Sequence, residues 1–283
     1  MKQIVIISGK GGTGKTVITA SFAALAKNKV MVDCDVDAAD LYLLLHPEIK
    51  ETYGFTGRVA KIDEDKCIQC GKCQEVCRFE AINNFIVDPI SCEGCGVCSY
   101  ICPQEAIKMK QHPAGNWFIS ETKYGPLIFA KLGIAEENSG KLVSLVKQKA
   151  KEIAQNQKRN FIIIDGPPGI GCPVIASLSG VDIALIVTEP TLSGIHDLER
   201  VAKVSYHFGI KTRVCINKYD LNLKMSQNIK DFCQTHNIEI IGEVPFDIVV
   251  TKALTMGKPV VEYSDNEVSS RIKKMWEKLE ITL

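Results

Sequence analysis

The chain has 283 residues, 46% hydrophobic and 24% charged, which fits one or two globular domains and excludes a disordered or low-complexity chain. Its 34 Lys and Arg against 33 Asp and Glu give a formal charge of +1, and there is no basic run, so nucleic-acid binding is not expected. The longest apolar runs, such as Ile4–Ile7 and Ile183–Val187, fall far short of the roughly 18–20 residues of a membrane span. The apolar stretch at the N-terminus is likewise too short for a signal peptide, so the expectation is a cytoplasmic protein without a membrane contact.

The first predicted elements are a strand over Gln3–Ser8, a Gly-rich loop over Gly9–Gly14 and an Ala-rich helix over Thr16–Ala26. Lys29–Asp33 follows as a second short strand ending in acidic residues. After a cysteine-rich stretch the alternation resumes. Ser139–Gln155 has helical spacing of Leu142, Val143, Leu145, Val146, Ala150 and Ile153, with Ser139 as its N-cap. Strands are predicted at Phe161–Ile164, Val181–Val187, Arg213–Ile216 and Ile238–Ile241, and helices near 193–208, 222–236 and 267–279. Strands that are apolar throughout are covered on both faces. Alternating with helices, they predict one doubly wound, mostly parallel α/β sheet. A small inserted α+β domain would occupy 58–120, splitting the main domain into 1–57 and 121–283.

The chain holds 12 cysteines, eight of them between Cys67 and Cys102; Cys34, Cys172, Cys215 and Cys233 stand alone. Without a secretion signal, this density points to metal rather than disulfides. Cys67–Ile82 and Cys92–Ile107 align at a shift of 25 residues with eight of sixteen positions identical, and each half reads C-x2-C-x2-C-x3-C. A cubane iron–sulfur cluster needs four soft thiolates. Three closely spaced Cys wrap one cluster and the fourth reaches its neighbour. One [4Fe-4S] cluster is therefore expected on Cys67, Cys70, Cys73 and Cys102, and another on Cys77, Cys92, Cys95 and Cys98. The segment resembles a bacterial two-cluster ferredoxin, with Arg78 where that family has Pro after the fourth Cys. Zinc, which favours two C-x2-C pairs across a longer spacer, is the weaker reading.

Gly9-Lys10-Gly11-Gly12-Thr13-Gly14-Lys15-Thr16 matches G-x-x-x-x-G-K-[ST] between a strand and a helix, a phosphate-binding loop. Its amides and the helix N-terminus face phosphate, Lys15 reaches the β/γ phosphates and Thr16 binds Mg²⁺. The second lysine, Lys10, has little to do within its own loop. The KGGTGKT form resembles the deviant Walker A of the MinD/ParA/Mrp ATPases, a group related to the nitrogenase iron protein. Asp33-Cys34-Asp35 and Asp165-Gly166-Pro167-Pro168-Gly169 resemble that family's first and second switches. The resemblance implies that Lys10 crosses a dimer interface, that Asp35 orients the attacking water, and that Asp165 holds the Mg²⁺ water shell. Asn217-Lys218-Tyr219-Asp220 spells the guanine-reading N-K-x-D. In the MinD group, however, an Asn here contacts adenine, with Pro245 packing on the base, so ATP is favoured over GTP.

The whole chain resembles MinD-superfamily ATPases with an inserted ferredoxin domain. That implies ATP/ADP, Mg²⁺ and two [4Fe-4S] clusters as cofactors. It also implies a homodimer, or a heterodimer with a close homologue, and a redox partner protein. The leading expectation is an ATP-gated electron-transfer protein. A MinD-type positioning ATPase with redox-sensing clusters and an iron–sulfur assembly carrier are the alternatives; the carrier lacks its C-x2-C outside 67–102. Cys172 is expected to be a buried thiol, His196 and Asp197 first-turn helix residues, and the face of Val268, Ile272, Met275 and Leu279 to pack on the sheet.

Overall fold

The computed structural model describes residues 1–133 and 139–282. Its strands are β1 (Lys2–Ser8), β2 (Lys29–Asp33), β3 (Glu48–Ile62), β4 (Ile82–Asn83), β5 (Ile86–Val87), β6 (Ile107–Thr122), β7 (Gly125–Leu132), β8 (Phe161–Pro168), β9 (Ile183–Thr188), β10 (Lys211–Asn217) and β11 (Glu239–Val244). The helices of the first half are α1 (Lys15–Leu25), α2 (Leu41–Leu45), α3 (Lys72–Glu75) and α4 (Val97–Ile101). Those of the second half are α5 (Ser139–Asn156), α6 (Cys172–Leu178), α7 (Leu192–His207), α8 (Leu223–Thr235), α9 (Ile248–Thr255), α10 (Val260–Tyr263) and α11 (Glu267–Thr282).

The main sheet has the order β11-β10-β9-β1-β8-β2-β7-β6-β3. Neighbours from β11 to β7 run parallel, and β6 and β3 add an antiparallel edge. Ile4–Ile7, Val30–Val32, Ile162–Ile164 and Ile183–Val187 are buried on both faces, as continuous apolar strands require. One face is covered by α5, α6, α7 and α8 through Leu142, Val174, Leu198 and Ile229. The other is covered by α1, α2, α9, α10 and α11 through Phe22, Leu41, Ala253, Val260 and Ile272. Val268, Ile272, Met275 and Leu279 are fully buried, so α11 packs on the sheet as expected. Among the described residues, no helix is long and apolar enough to cross a membrane. The expected N-cap, Ser139, is the first residue of α5, and its side chain lies outside the described residues.

The expected insert boundaries at 57/58 and 120/121 fall inside β3 and β6. These strands pair from Glu48↔Glu121 to Ile62↔Ile107. Their near half is sheet edge, and their far half is a two-stranded ribbon carrying residues 63–106. In that cysteine module the repeat is structural as well as sequential. Gly71 and Gly96 both hold left-handed backbone (φ 77° and 83°) just before α3 and α4. Glu80 and Glu105, again 25 residues apart, share positive φ at 52° and 48°. Ile82 and Ile107 join Cys73, Cys98 and Ala60 in a small separate core.

Candidate functional site

The Gly9–Thr16 loop leaves β1 and enters α1 through Gly14, whose φ of 93° suits glycine. A Cβ there would also overlap the Asn217 amide. Nothing lies within 4 Å of a Cβ at Gly11 or Gly12, so the loop surrounds open space. Thr13 Oγ1 is buried without a hydrogen-bond partner, an orphaned polar atom inside the cradle. Gly9 packs directly against Asp197 of α7.

Lys15 is buried, with Nζ 3.9 Å from Asp35 Oδ2. Thr16 Oγ1 donates to Asp165 Oδ2 at 2.7 Å, and Thr19 Oγ1 to Asp165 Oδ1 at 3.0 Å. Asp33, fully buried, accepts the amides of Asp35 at 3.0 Å and Leu41 at 3.1 Å. Burial raises the pKa of Asp165, against the pull of Lys15 and the two threonines. Burial, reinforced by Asp165, raises Asp33 well above the carboxylate range. Asp35 is pushed up to about 6, again first by desolvation; Lys15 opposes this, and Asp165, Asp37 and Asp40 add to it. One lysine thus faces several crowded carboxylates. That excess of negative charge fits a divalent cation with its phosphate counter-charge.

Asp35, Asp37 and Asp40 line a cavity with Gly12, Lys15 and Thr16. A second cavity adjoins it at Gly12 and Gly14 and is lined by Val17, Asn217, Pro245 and Phe246. Asn217 Nδ2 donates to the Thr13 carbonyl at 2.8 Å, tying β10 to the phosphate loop. Asp220 Oδ1 accepts the Phe246 amide at 2.7 Å. Its carboxylate holds the Pro245 loop and does not line the cavity, so the guanine-reading geometry of N-K-x-D is not formed here.

Lys10 lies beside the segment that leads into α7. Its Nζ lies 3.2 Å from Ser193 Oγ, 3.4 Å from Thr191 Oγ1 and 3.6 Å from Glu189 Oε2. It is engaged within its own chain, on the loop entering α7. Cys172 is corrected: as the first residue of α6, after the Gly169–Gly171 turn, it is exposed. His196 and Asp197 lie in the second turn of α7, with His196 exposed. Thr19, Asp33, Glu189 and Lys218 were missed. Asp33, in the acidic end of a strand, and Lys218, inside the N-K-x-D stretch, carried a local signal; Thr19 and Glu189 did not.

All described cysteines are free thiols. Cys67, Cys70, Cys73 and Cys102 line one cavity with Ile62, Phe85 and Ile107. Burial raises the Cys73 pKa, and the charges of Cys67 and Cys70 add to it. Burial pushes Cys98 up to about 11, and Cys92, Cys95 and Cys77 add to that. The neighbours of Cys98 thus come from both halves of the repeat. The amides of Ala81 and Ala106 point at Cys77 Sγ (3.4 Å) and Cys102 Sγ (3.3 Å), the kind of donor that stabilises a thiolate. Among the described residues, no three His, Cys, Asp or Glu converge to hold a single metal ion. A four-iron cubane instead takes each thiolate on a different iron and spreads its donors.

Residues 4–260 match the family model of the CobQ/CobB/MinD/ParA nucleotide binding domain. An uncharacterized protein of Methanocaldococcus jannaschii is 40% identical over 281 residues, covering 98% of this chain and 96% of that protein. The fold is similar to the cell division ATPase MinD of Pyrococcus furiosus, with a TM-score of 0.62 and 20% identity over 100% of this chain and 99% of that one. It is also similar to the septum site-determining protein MinD of Pyrococcus horikoshii, solved with Mg-ADP, with a TM-score of 0.60 and 19% identity over 99% and 96% of the two chains. With its phosphate loop, buried lysine and acidic switch strands in one cleft, the chain belongs to the CobQ/CobB/MinD/ParA nucleotide-binding family and is an ATP-hydrolysing P-loop enzyme.

Proposed function

We propose that this ATPase is a MinD-type nucleotide switch whose cysteine module holds two [4Fe-4S] clusters and passes electrons to a partner protein. The observation that carries the reading is the interleaved thiol arrangement. Cys102 of the second repeat lines the cavity of Cys67, Cys70 and Cys73, while Cys77 of the first packs with Cys92 against the small core that holds Cys98. Chain-local metal sites would have no need to exchange their fourth donors. Bound clusters would supply one-electron redox chemistry.

In the ATPase half, the loop amides and Lys15 hold the phosphates. Thr16 and Asp165 would hold Mg²⁺, which would supply charge neutralisation at the phosphates. Asp35 positions water, and Asn217 with Pro245 receives adenine. Residues and charge, rather than a strong base, carry hydrolysis. The likeness to the two archaeal MinD proteins supports a second reading, in which the same switch positions a cell-division assembly and the clusters sense redox state.

Iron and sulfide analysis with electron paramagnetic resonance, on protein isolated without oxygen, tests the first reading. About eight iron per chain and a signal on reduction are expected. Zinc at about one per four Cys, silent on reduction, would overturn it. Co-sedimentation with liposomes only in ATP would favour the second reading.

A further inference from the structure

The ribbon that carries the cysteine module is joined to the nucleotide cleft by a short run of hydrogen bonds. Val36, the residue after Asp35, accepts from the Leu132 amide at 3.2 Å at the end of β7. The next amide, Gly133, donates to the Ala114 carbonyl of β6 at 2.9 Å. Ala114 is itself irregular. Phe55 pairs with Gly115 and Thr56 with Pro113, so Ala114 is an extra residue in β6. It is fully buried. Gly115 beside it is pressed on β7, since a Cβ there would sit 2.5 Å from the Lys131 carbonyl.

This is also where the sheet changes width. β6 pairs with β7 from Thr122↔Gly125 to Gly115↔Leu132, and beyond that only with β3. From Pro113 to Ile107 the ribbon has no third strand beside it for about 20 Å at roughly 3.3 Å per residue, and the cysteine module packs on its far half through Ala60 and Ile107, with Gly94 pressed on the Arg58 backbone. Two-stranded ribbons twist easily, and a bulge sharpens the twist where it occurs. A small shift at buried Val36, next in sequence to Asp35 on the phosphate cavity, therefore acts at the base of this ribbon.

We propose that the Ala114 bulge is the joint through which the nucleotide site sets the position of the cysteine module, with Val36, Leu132 and Gly133 as its linkage. This rests on the reading of Gly9–Thr16 and Asp35 as the nucleotide site, and not on the presence of clusters. A nucleotide can bias the joint only by its differential affinity for the two positions, so ATP and ADP, which differ at the phosphate Asp35 faces, are the informative pair.

Hydrogen exchange on the full chain tests it, with nucleotide binding measured on the same samples. In wild type, amides of 56–62 and 107–113 should exchange about fivefold differently in ATP and ADP, the effect of one hydrogen bond made or broken. Gly133→Pro removes the amide that reaches Ala114 and should abolish this difference while leaving ATP affinity unchanged. Gly133→Ala keeps the amide and should keep the difference. Should Gly133→Pro fail to fold, one glycine inserted after Leu132 separates the two linking amides and is read in the same way. ATP binding with no ATP–ADP difference in wild type overturns the joint, as does a full response when the linkage is broken. Absence of ATP binding overturns the nucleotide-site reading instead. Absence of iron with an intact ribbon response overturns only the clusters.

Discussion

Asp35 carries more of the chemistry than its place in a three-residue acidic run suggests. Its carboxyl is pushed up to about 6 chiefly because it is desolvated; Lys15 at 3.9 Å pulls the other way, and Asp165, Asp37 and Asp40 add to the rise. In the nucleotide-free enzyme it therefore holds its proton below about 6. Because kcat/KM reports the free enzyme, it should fall about tenfold per pH unit below that point. Asp35→Asn should lower kcat by about 10²-fold and remove this acid limb. Stability runs the opposite way. The folded chain keeps a proton that the unfolded one has released, so this group's contribution is present at low pH and is lost as pH rises through about 6. Thermal melts of wild type and Asp35→Asn from pH 4 to 7 should differ in slope with that sign. At the base cavity, Asp220 is occupied by the Phe246 amide and Asn217 is tied to Thr13. Asn217→Ala should weaken ATP binding by about tenfold, the effect of one or two lost hydrogen bonds. Asp220→Asn should not change the preference for ATP over GTP; a direct titration giving a switch to GTP would restore the N-K-x-D reading.

At the scale of elements, the legible parts are those that one local rule dictates. Strands covered on both faces need continuous apolar runs, so β1, β2, β8, β9 and β10 could be read within a few residues of their ends. The cysteine repeat is legible because ligand spacing leaves little freedom, and the structure repeats its burial order, with Cys73 and Cys98 buried and Cys70 and Cys95 exposed. By contrast β3 reads Glu-Ile-Lys-Glu-Thr-Tyr-Gly and is almost wholly exposed along that half. It is held by pairing with β6 and by stacking of Tyr53 on Trp117 at 4.3 Å, and neither is encoded in its own hydrophobic pattern. The exposure of Cys172 was not legible either, since nothing in Gly171-Cys172-Pro173 shows that the turn before α6 faces outward. The interleaving gives this scale its own test. Cys77→Ala and Cys92→Ala lie in different repeats and belong to one donor set. Each alone, and both together, should therefore lose about half the iron. Cys67→Ala combined with Cys77→Ala should lose nearly all. If the losses follow the repeats instead, the interleaved assignment fails.

For the whole molecule the prediction is that ATP brings two copies together. Lys10 now has partners in its own chain, on Glu189, Thr191 and Ser193, and each contact is long and partly exposed. Glu189 is also bound at 2.5 Å by Lys218, so its charge stays compensated if Lys10 leaves. Withdrawing Lys10 costs little, because its 3.6 Å contact is to a carboxylate whose charge Lys218 already compensates at shorter range. A γ-phosphate reached across a two-fold interface offers a charge-assisted contact of about twice the strength of an ordinary hydrogen bond. The balance favours the intrachain arrangement without ATP and the crossed one with it. ATP should therefore raise the dimer fraction measured by light scattering, and ADP should do so less. Lys10→Ala should retain nucleotide affinity, because Lys15 and the loop amides remain, but should lose the ATP-dependent dimer and with it most turnover. Equal dimer fractions for wild type and Lys10→Ala in both nucleotides would show that Lys10 serves only the loop before α7. The chain would then switch, if at all, through the Asp35–Val36 strand end alone.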